Sequence, residues 1–171
     1  SGVNAIGFQY VGFIDATNAI DAGSTITNAT VISGTLTNQG TLNGKVTVSG
    51  GATLTTSGVV SVDAASTNSG VIANSGSFTV ASTLSNAGSF TNTGLLTNNG
   101  LLSNTGTLLN SGTLVSTAGT FSTSGQLTNS GSIAGTVTVT STGEVTNQAG
   151  GNISGLLAGI TGSGVTVANA G

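Results

Sequence analysis

The sequence predicts an all-β fold, a single-chain parallel β-solenoid built from six-residue repeats. Three observations lead there. An apolar residue stands at thirteen of the fourteen positions spaced six apart from Leu36 to Leu114. A small residue stands two places before it and an Asn-rich slot two places after it. Residues that disfavour helix dominate: Gly, Thr, Ser and Asn make up 100 of the 171 residues. Six is a multiple of the two-residue alternation of a strand and not of the 3.6-residue turn of a helix. The period therefore keeps its apolar residues on one side of a strand and would scatter them around a helix.

The first segment, residues 1–33, departs from the repeat. Ile6, Phe8 and Tyr10 alternate, Phe13 and Ile14 follow, and the segment holds three of the six aromatic residues. It is expected to be an N-terminal cap or a subunit-joining segment, the latter as an added strand or a plug. Ile20, Ile26 and Ile32 form a prelude at the same six-residue spacing.

The repeat proper spans residues 34–147. Its apolar slot holds Leu36, Leu42, Val48, Leu54, Val60, Ile72, Phe78, Leu84, Phe90, Leu96, Leu102, Leu108 and Leu114, with Ser66 the one polar member. Two places earlier, ten of fourteen residues are Gly, which marks a recurring turn rather than chance. Two places later stand Asn38, Asn68, Asn74, Asn86, Asn92, Asn98, Asn104 and Asn110. One inserted residue near Ser116–Gly119 shifts the frame. The pattern then resumes at Phe121, Leu127, Ile133, Val139 and Val145, with Asn129 in the Asn slot. Triplets such as Thr-Leu-Thr favour strand. The Asn-x-Gly that follows is expected to turn the corner, because both residues tolerate positive φ.

One hexapeptide cannot bury its apolar residue alone, whereas stacked coils can, about 4.8 Å apart. Inward Leu files then form the core, and Asn files at the corners share amide hydrogen bonds. Three hexapeptides per coil would give about nine rungs from this length, two per coil a flatter and longer rod, and both remain open at this point.

The last segment, residues 148–171, is apolar and uncharged, with Ile153, Leu156, Leu157, Ile160, Val165 and Val167. Natural sheet edges are blunted by charge, Pro or bulges, and solenoid ends by polar caps. Such an undefended end is expected either of a segment cut from a longer solenoid or of an end that stacks on other copies. The expected subunit contact sets Phe8, Tyr10, Phe13 and Ile14 against Ile153, Leu156, Leu157 and Ile160. A chain that starts at Ser1 and holds no Met is expected to be a processed or partial one.

Composition excludes most chemistry. Asp15, Asp21, Lys45, Asp63 and Glu144 are the five charged residues. Without Cys or His there is no ordinary zinc, haem or iron–sulfur site and no Ser-His-Asp or Cys-His nucleophile. One Lys and no Arg cannot neutralise a nucleic-acid backbone. No apolar run is long enough for a membrane-spanning helix. No catalytic residue, metal or cofactor is assigned, and the partners expected are copies of the chain itself. A surface or glycan ligand stays undefined. Asn28-Ala-Thr30 and Asn152-Ile-Ser154 match glycosylation sequons by composition alone.

Gly94-Leu-Leu-Thr-Asn-Asn-Gly-Leu-Leu-Ser-Asn-Thr-Gly-Thr-Leu108 resembles the Thr-Asn-x-Gly repeats of filamentous-haemagglutinin-like and autotransporter-like bacterial adhesin β-helices. The resemblance covers about residues 34–147. It implies a surface-exposed right-handed solenoid. The repeat is also similar to that of left-handed hexapeptide β-helices, so handedness stays open. Acyltransferases of that second fold use a His, and none is present here.

The reading that follows is an extracellular structural subunit that assembles end to end into a surface or biofilm-matrix filament. The alternatives are a fragment of a large adhesin and an ice-binding protein. The last draws on Thr35/Thr37, Thr53/Thr55 and Ser89/Thr91, though Leu95, Leu101, Leu109 and Val115 interrupt the pattern.

Overall fold

The computed structural model describes residues 8–14, 17–31, 33–155, 157–161 and 166–170, with 8–14, 157–161 and Thr166 described by their backbone alone. Every regular element among them is a β-strand, and every pairing is parallel. The chain is a parallel β-solenoid of about eight turns. Nine strands stack in one sheet and thirteen in the other.

Stacking partners set the coil. Val60, Phe78 and Leu96 lie over one another, as do Ile72, Phe90 and Leu108, and each step is 18 residues. A coil is therefore three hexapeptides, and it has three faces. Face I is the nine-stranded sheet, from Asn18–Ile20 to Thr166–Asn169. The thirteen-stranded sheet is creased along its length into faces II and III. The strand Thr113–Thr123 shows this directly: its first part pairs with Leu95–Asn98 on face II and its second with Leu101–Asn104 on face III.

The six-residue alternation sorts side chains as strand geometry requires. On face I the inward file runs Asn18, Leu36, Leu54, Ile72, Phe90, Leu108, Leu127, Val145 and Val167. Leu42, Phe78, Leu96, Leu114 and Ile133 lie in the face II file, and Leu84, Leu102 and Phe121 in the face III file. These apolar residues from Leu36 to Val145 are fully buried. Burying each large aliphatic side chain contributes about 1.5–3 kcal/mol. Phe78 and Phe90 meet edge to face across the core, with ring centroids 5.2 Å apart. Ser66 is buried as well. Its hydroxyl accepts from the Val46 N–H and donates to the Ala64 carbonyl, both at 2.9 Å, so the polar member of the file is satisfied.

Three expectations need correction. Val48 does not occupy the apolar slot of its rung. Val46 does, above Ser66, and Val48 stands over Asn68 in the Asn slot. Val137 and Val139 repeat this, over Phe121 and Thr123. Likewise Ile20 stands over Asn38. At Val48 and Val139 the corner before them is shorter than the strict period allows, and at Ile20 the corner from Asn18 to Ile26 is longer, so the count slips by two while the inward parity is kept. The prelude's Ile32 lies outside the described residues.

The third correction concerns glycine. Repeat glycines such as Gly58, Gly76, Gly94 and Gly112 are not among the positive-φ residues. They are required by close approach. A Cβ at Gly94 would fall on the carbonyl oxygen of Gly76, and one at Gly112 on that of Gly94. These carbonyls carry the backbone ladder around the corner, as in Leu95 N–H to Gly76 C=O at 2.9 Å and Thr113 N–H to Gly94 C=O at 2.9 Å.

Gly34 is a repeat glycine that does have positive φ, and Gly23, Gly51, Ser141 and Gly150 have it at other bends. Asn28, Gly44 and Gly135 have it on the corner between faces II and III in short-cornered rungs. There the inward slots lie three or four residues apart: Ile26 to Ala29, Leu42 to Val46 and Ile133 to Val137. In the middle they lie six or seven apart, as in Phe78 to Leu84 and Leu114 to Phe121. A left-handed residue lets the strand bend sharply where fewer residues are available.

Gly94→Ala is expected to lose about 1–3 kcal/mol in urea denaturation. Gly50→Ala, where the nearest atom to the added Cβ is the Ser69 carbonyl oxygen at 3.9 Å, is expected to stay within about 0.5 kcal/mol. Equal losses would refute the close-approach account.

Candidate functional site

Two features outside the apolar core have chemistry of their own, the buried amide files and the outer surface with its two ends. The amide files come from parity. The Asn slot is two residues after the inward apolar residue, so it also faces inward. Asn38, Asn68, Asn74, Asn86, Asn92, Asn98, Asn104, Asn110 and Asn129 are all buried. On face I, Asn74 Nδ2 donates to Asn92 Oδ1 at 2.8 Å, Asn92 to Asn110 at 2.8 Å, Asn110 to Asn129 at 2.7 Å and Asn129 to Asn147 at 2.7 Å. On face III, Asn68 donates to Asn86 at 2.6 Å and Asn86 to Asn104 at 2.7 Å. The second N–H reaches a backbone carbonyl across the corner, as from Asn92 to Thr113 at 3.0 Å and from Asn86 to Thr107 at 3.0 Å.

Every one of these bonds points the same way, nitrogen toward the C-terminal rung. Where a file leaves Asn it ends on a hydroxyl: Asn38 on Thr56, Asn98 on Ser116, Asn104 on Thr123. Where a file begins, the rung before is aliphatic in three of four cases. Ile20 precedes Asn38, Val48 precedes Asn68 and Val80 precedes Asn98. The first oxygens, Oδ1 of Asn38, Asn68, Asn74 and Asn98, are buried without a hydrogen-bond partner. This asymmetry has a physical cause. A buried carbonyl oxygen without a donor is tolerated more often than a buried N–H without an acceptor. The six-residue period reveals the slot but not the direction of its bonds; the signal for that is the Asn, Ser or Thr one coil further on, 18 or 19 residues after each Asn of the slot from Asn38 to Asn129.

The outer faces are nearly free of charge. Asp21, Asp63, Lys45 and Glu144 are exposed, and Gln126 Nε2 donates to Glu144 Oε2 at 3.3 Å. Asp15 lies outside the described residues. Among the described residues no group of three His, Cys, Asp or Glu could hold a metal ion. Asn152 of one sequon is exposed. Asn28 of the other accepts the Lys45 N–H at 2.7 Å.

Thr35/Thr37 and Thr53/Thr55 stack on face I, but Val71/Ala73 follow in the next rung. The exposed apolar residues are dispersed, with Val71 and Leu109 on face I, Val59 and Leu95 on face II and Leu101 on face III. One hydroxyl file is unbroken, on face III: Thr30, Thr47, Thr67, Ser85, Ser103, Ser122 and Thr138. The sequence hid it because its steps vary from 16 to 20 residues.

No protein-family model, curated protein or solved structure matches this chain.

The proposed contact residues divide between the two ends. The strand Phe8–Ile14 pairs with Thr25–Val31 at the N-terminal end. The side chains of Phe8, Tyr10, Phe13 and Ile14 lie outside the described residues. At the other end Ile153 is half-buried and packs on the core. Leu157 and Ile160 belong to the strand Leu157–Thr161, described by backbone only, and Leu156 lies outside the described residues. Val167 continues the inward file of face I, yet it is 38% exposed, whereas the members from Leu36 to Val145 are fully buried.

Asn92→Leu is expected to cost about 2–4 kcal/mol, because it strands the Asn74 N–H in the interior. Asn38→Leu leaves no preceding donor stranded and is expected to cost at least about 1 kcal/mol less. Equal losses in urea titrations of the two variants would contradict the one-way relay.

Proposed function

We propose that this chain is an extracellular structural subunit that assembles end to end into a filament of a surface or biofilm matrix. The reading rests on one observation above the others. The inward file of face I reaches Val167 with that residue still 38% exposed. The strand that carries it, Thr166–Asn169, has neither charge nor Pro to blunt it. The edge strand at the opposite side of the same sheet, Asn18–Ile20, is equally uncharged. A heterologous contact between two such edges does not close on itself and builds a filament.

The role is mechanical. Backbone ladders run along the axis, amide files hold register, and the hydroxyl-rich surface offers trypsin-like proteases almost no basic residue. The setting outside the cell is part of the proposal and is supported by the near absence of Lys and Glu.

A second reading is a segment of a large adhesin, since further rungs of the same repeat would cover Val167 as well as another copy would. Electron microscopy of the purified chain at micromolar concentration in plain buffer separates the two. The expected result is long uniform threads with an axial repeat of about 4.8 Å; short isolated rods would defeat self-assembly and favour the adhesin. Removal of residues 1–14 is expected to abolish the threads. Threads of unchanged length after that deletion would remove the N-terminal strand from the contact.

A further inference from the structure

We infer that the joint between copies is polar and in phase: the strand Thr166–Asn169 of one copy pairs in parallel with Asn18–Ile20 of the next copy. This rests on the self-assembly proposed above and specifies its geometry. Both strands are edges of the same sheet, and all eight pairings inside that sheet are parallel. An inverted joint would make the contact antiparallel.

The two ends also match each other in outline. Short corners between faces II and III occur at Ile26–Ala29 and Leu42–Val46 near one end, and at Ile133–Val137 and Ile153–Leu157 near the other. The rungs between have long corners. A short-cornered rung stacks on another with its three faces aligned, so the two end sections are alike in outline.

The direction of the amide relay gives the joint its character. An inverted C-terminal contact would set two Asn169 side chains against each other, both oriented by the bond from Asn147 Nδ2 to Asn169 Oδ1 at 2.8 Å. The parallel joint places Val167 opposite Asn18 and Asn169 opposite Ile20 of the next copy. Inside the chain this slot has the opposite order, Ile20 before Asn38, so Ile20 of the next copy offers Asn169 no side-chain oxygen. The amide relay therefore does not cross the joint. Backbone pairing holds it, and it is weaker than the Asn-linked steps within a copy.

The chain has no Cys, so a designed pair reports the phase. Ala19 and Ala168 occupy the same outward file of face I, which runs through Thr37, Thr55, Ala73, Thr91, Leu109, Thr128 and Thr146. In the parallel joint they become neighbours about 4.8 Å apart, within the Cα range of roughly 4.4–6.8 Å for a disulfide. The double variant Ala19→Cys/Ala168→Cys is expected to give, on mild oxidation, a ladder of covalent oligomers that a reductant dissolves. Either single variant is expected to give none. Threads without cross-links in the double variant would overturn the phase and leave self-assembly standing. Covalent dimers from a single variant would establish an inverted joint and overturn it too. Absence of threads from the unmodified chain would overturn self-assembly and this inference together. A second test needs no variant. Rising urea is expected to shorten the threads to single rods before the β signal in circular dichroism is lost. A single coincident transition would overturn the weaker joint.

Discussion

The side-chain amide of an inward Asn brings two N–H donors and one oxygen into a dry interior. Each donor left unanswered there costs about 1–3 kcal/mol. The structure answers both, one with a backbone carbonyl across the corner and one with an oxygen in the next rung. The second answer is what makes the stack specific. It requires that the rung after each Asn present Asn, Ser or Thr at one position, and the described residues meet this from Asn38 to Asn147. A slip of one residue would turn the Asn files outward and the Ser and Thr that flank them inward. The files thus do for register what the aliphatic core, being non-directional, cannot.

Glycine at the corners follows from the same stacking. Rungs that lie in register bring their corners together as closely as their strands. The carbonyl of one corner then occupies the place a Cβ of the next would need, as at Gly76 and Gly94. Where the corner between faces II and III shortens, backbone curvature limits the residue as well, and at Gly44 and Gly135 an added Cβ would also meet the neighbouring rung. Asn28, Gly44 and Gly135 meet that need with positive φ. Two different physical demands therefore place glycine in one repeat, and Gly44 and Gly135 meet both.

The outer faces carry few such obligations. Outward slots accept Thr, Ser, Val, Leu, Gln or Asn because nothing stacks on them except their own file. The apolar ones are scattered over three faces and form no single patch. The file of seven hydroxyls on face III is regular, but regularity along a parallel sheet comes from the stacking itself. The ends are different in kind. There an inward residue, Val167, is exposed although its file is buried from Leu36 to Val145.

The sequence by itself determined parity. The six-residue period put Leu36, Phe78 and Leu114 inward, together with the Asn two places beyond, because a strand alternates strictly and six is even. It also carried the parallel solenoid class and the frame shift near Ser116–Gly119, since no single hexapeptide could bury its own apolar residue. It did not determine which residue stacks on which. Val46 rather than Val48 lies over Ser66, and Val137 rather than Val139 over Phe121, because corner length is not written in the period. That length is set by how sharply the backbone can turn and by what the neighbouring rung leaves room for. Three faces rather than two, the short-cornered rungs at both ends and the single direction of the amide relay are likewise properties of the stack. A hydrogen bond between residues 18 apart exists only once the coil between them has closed.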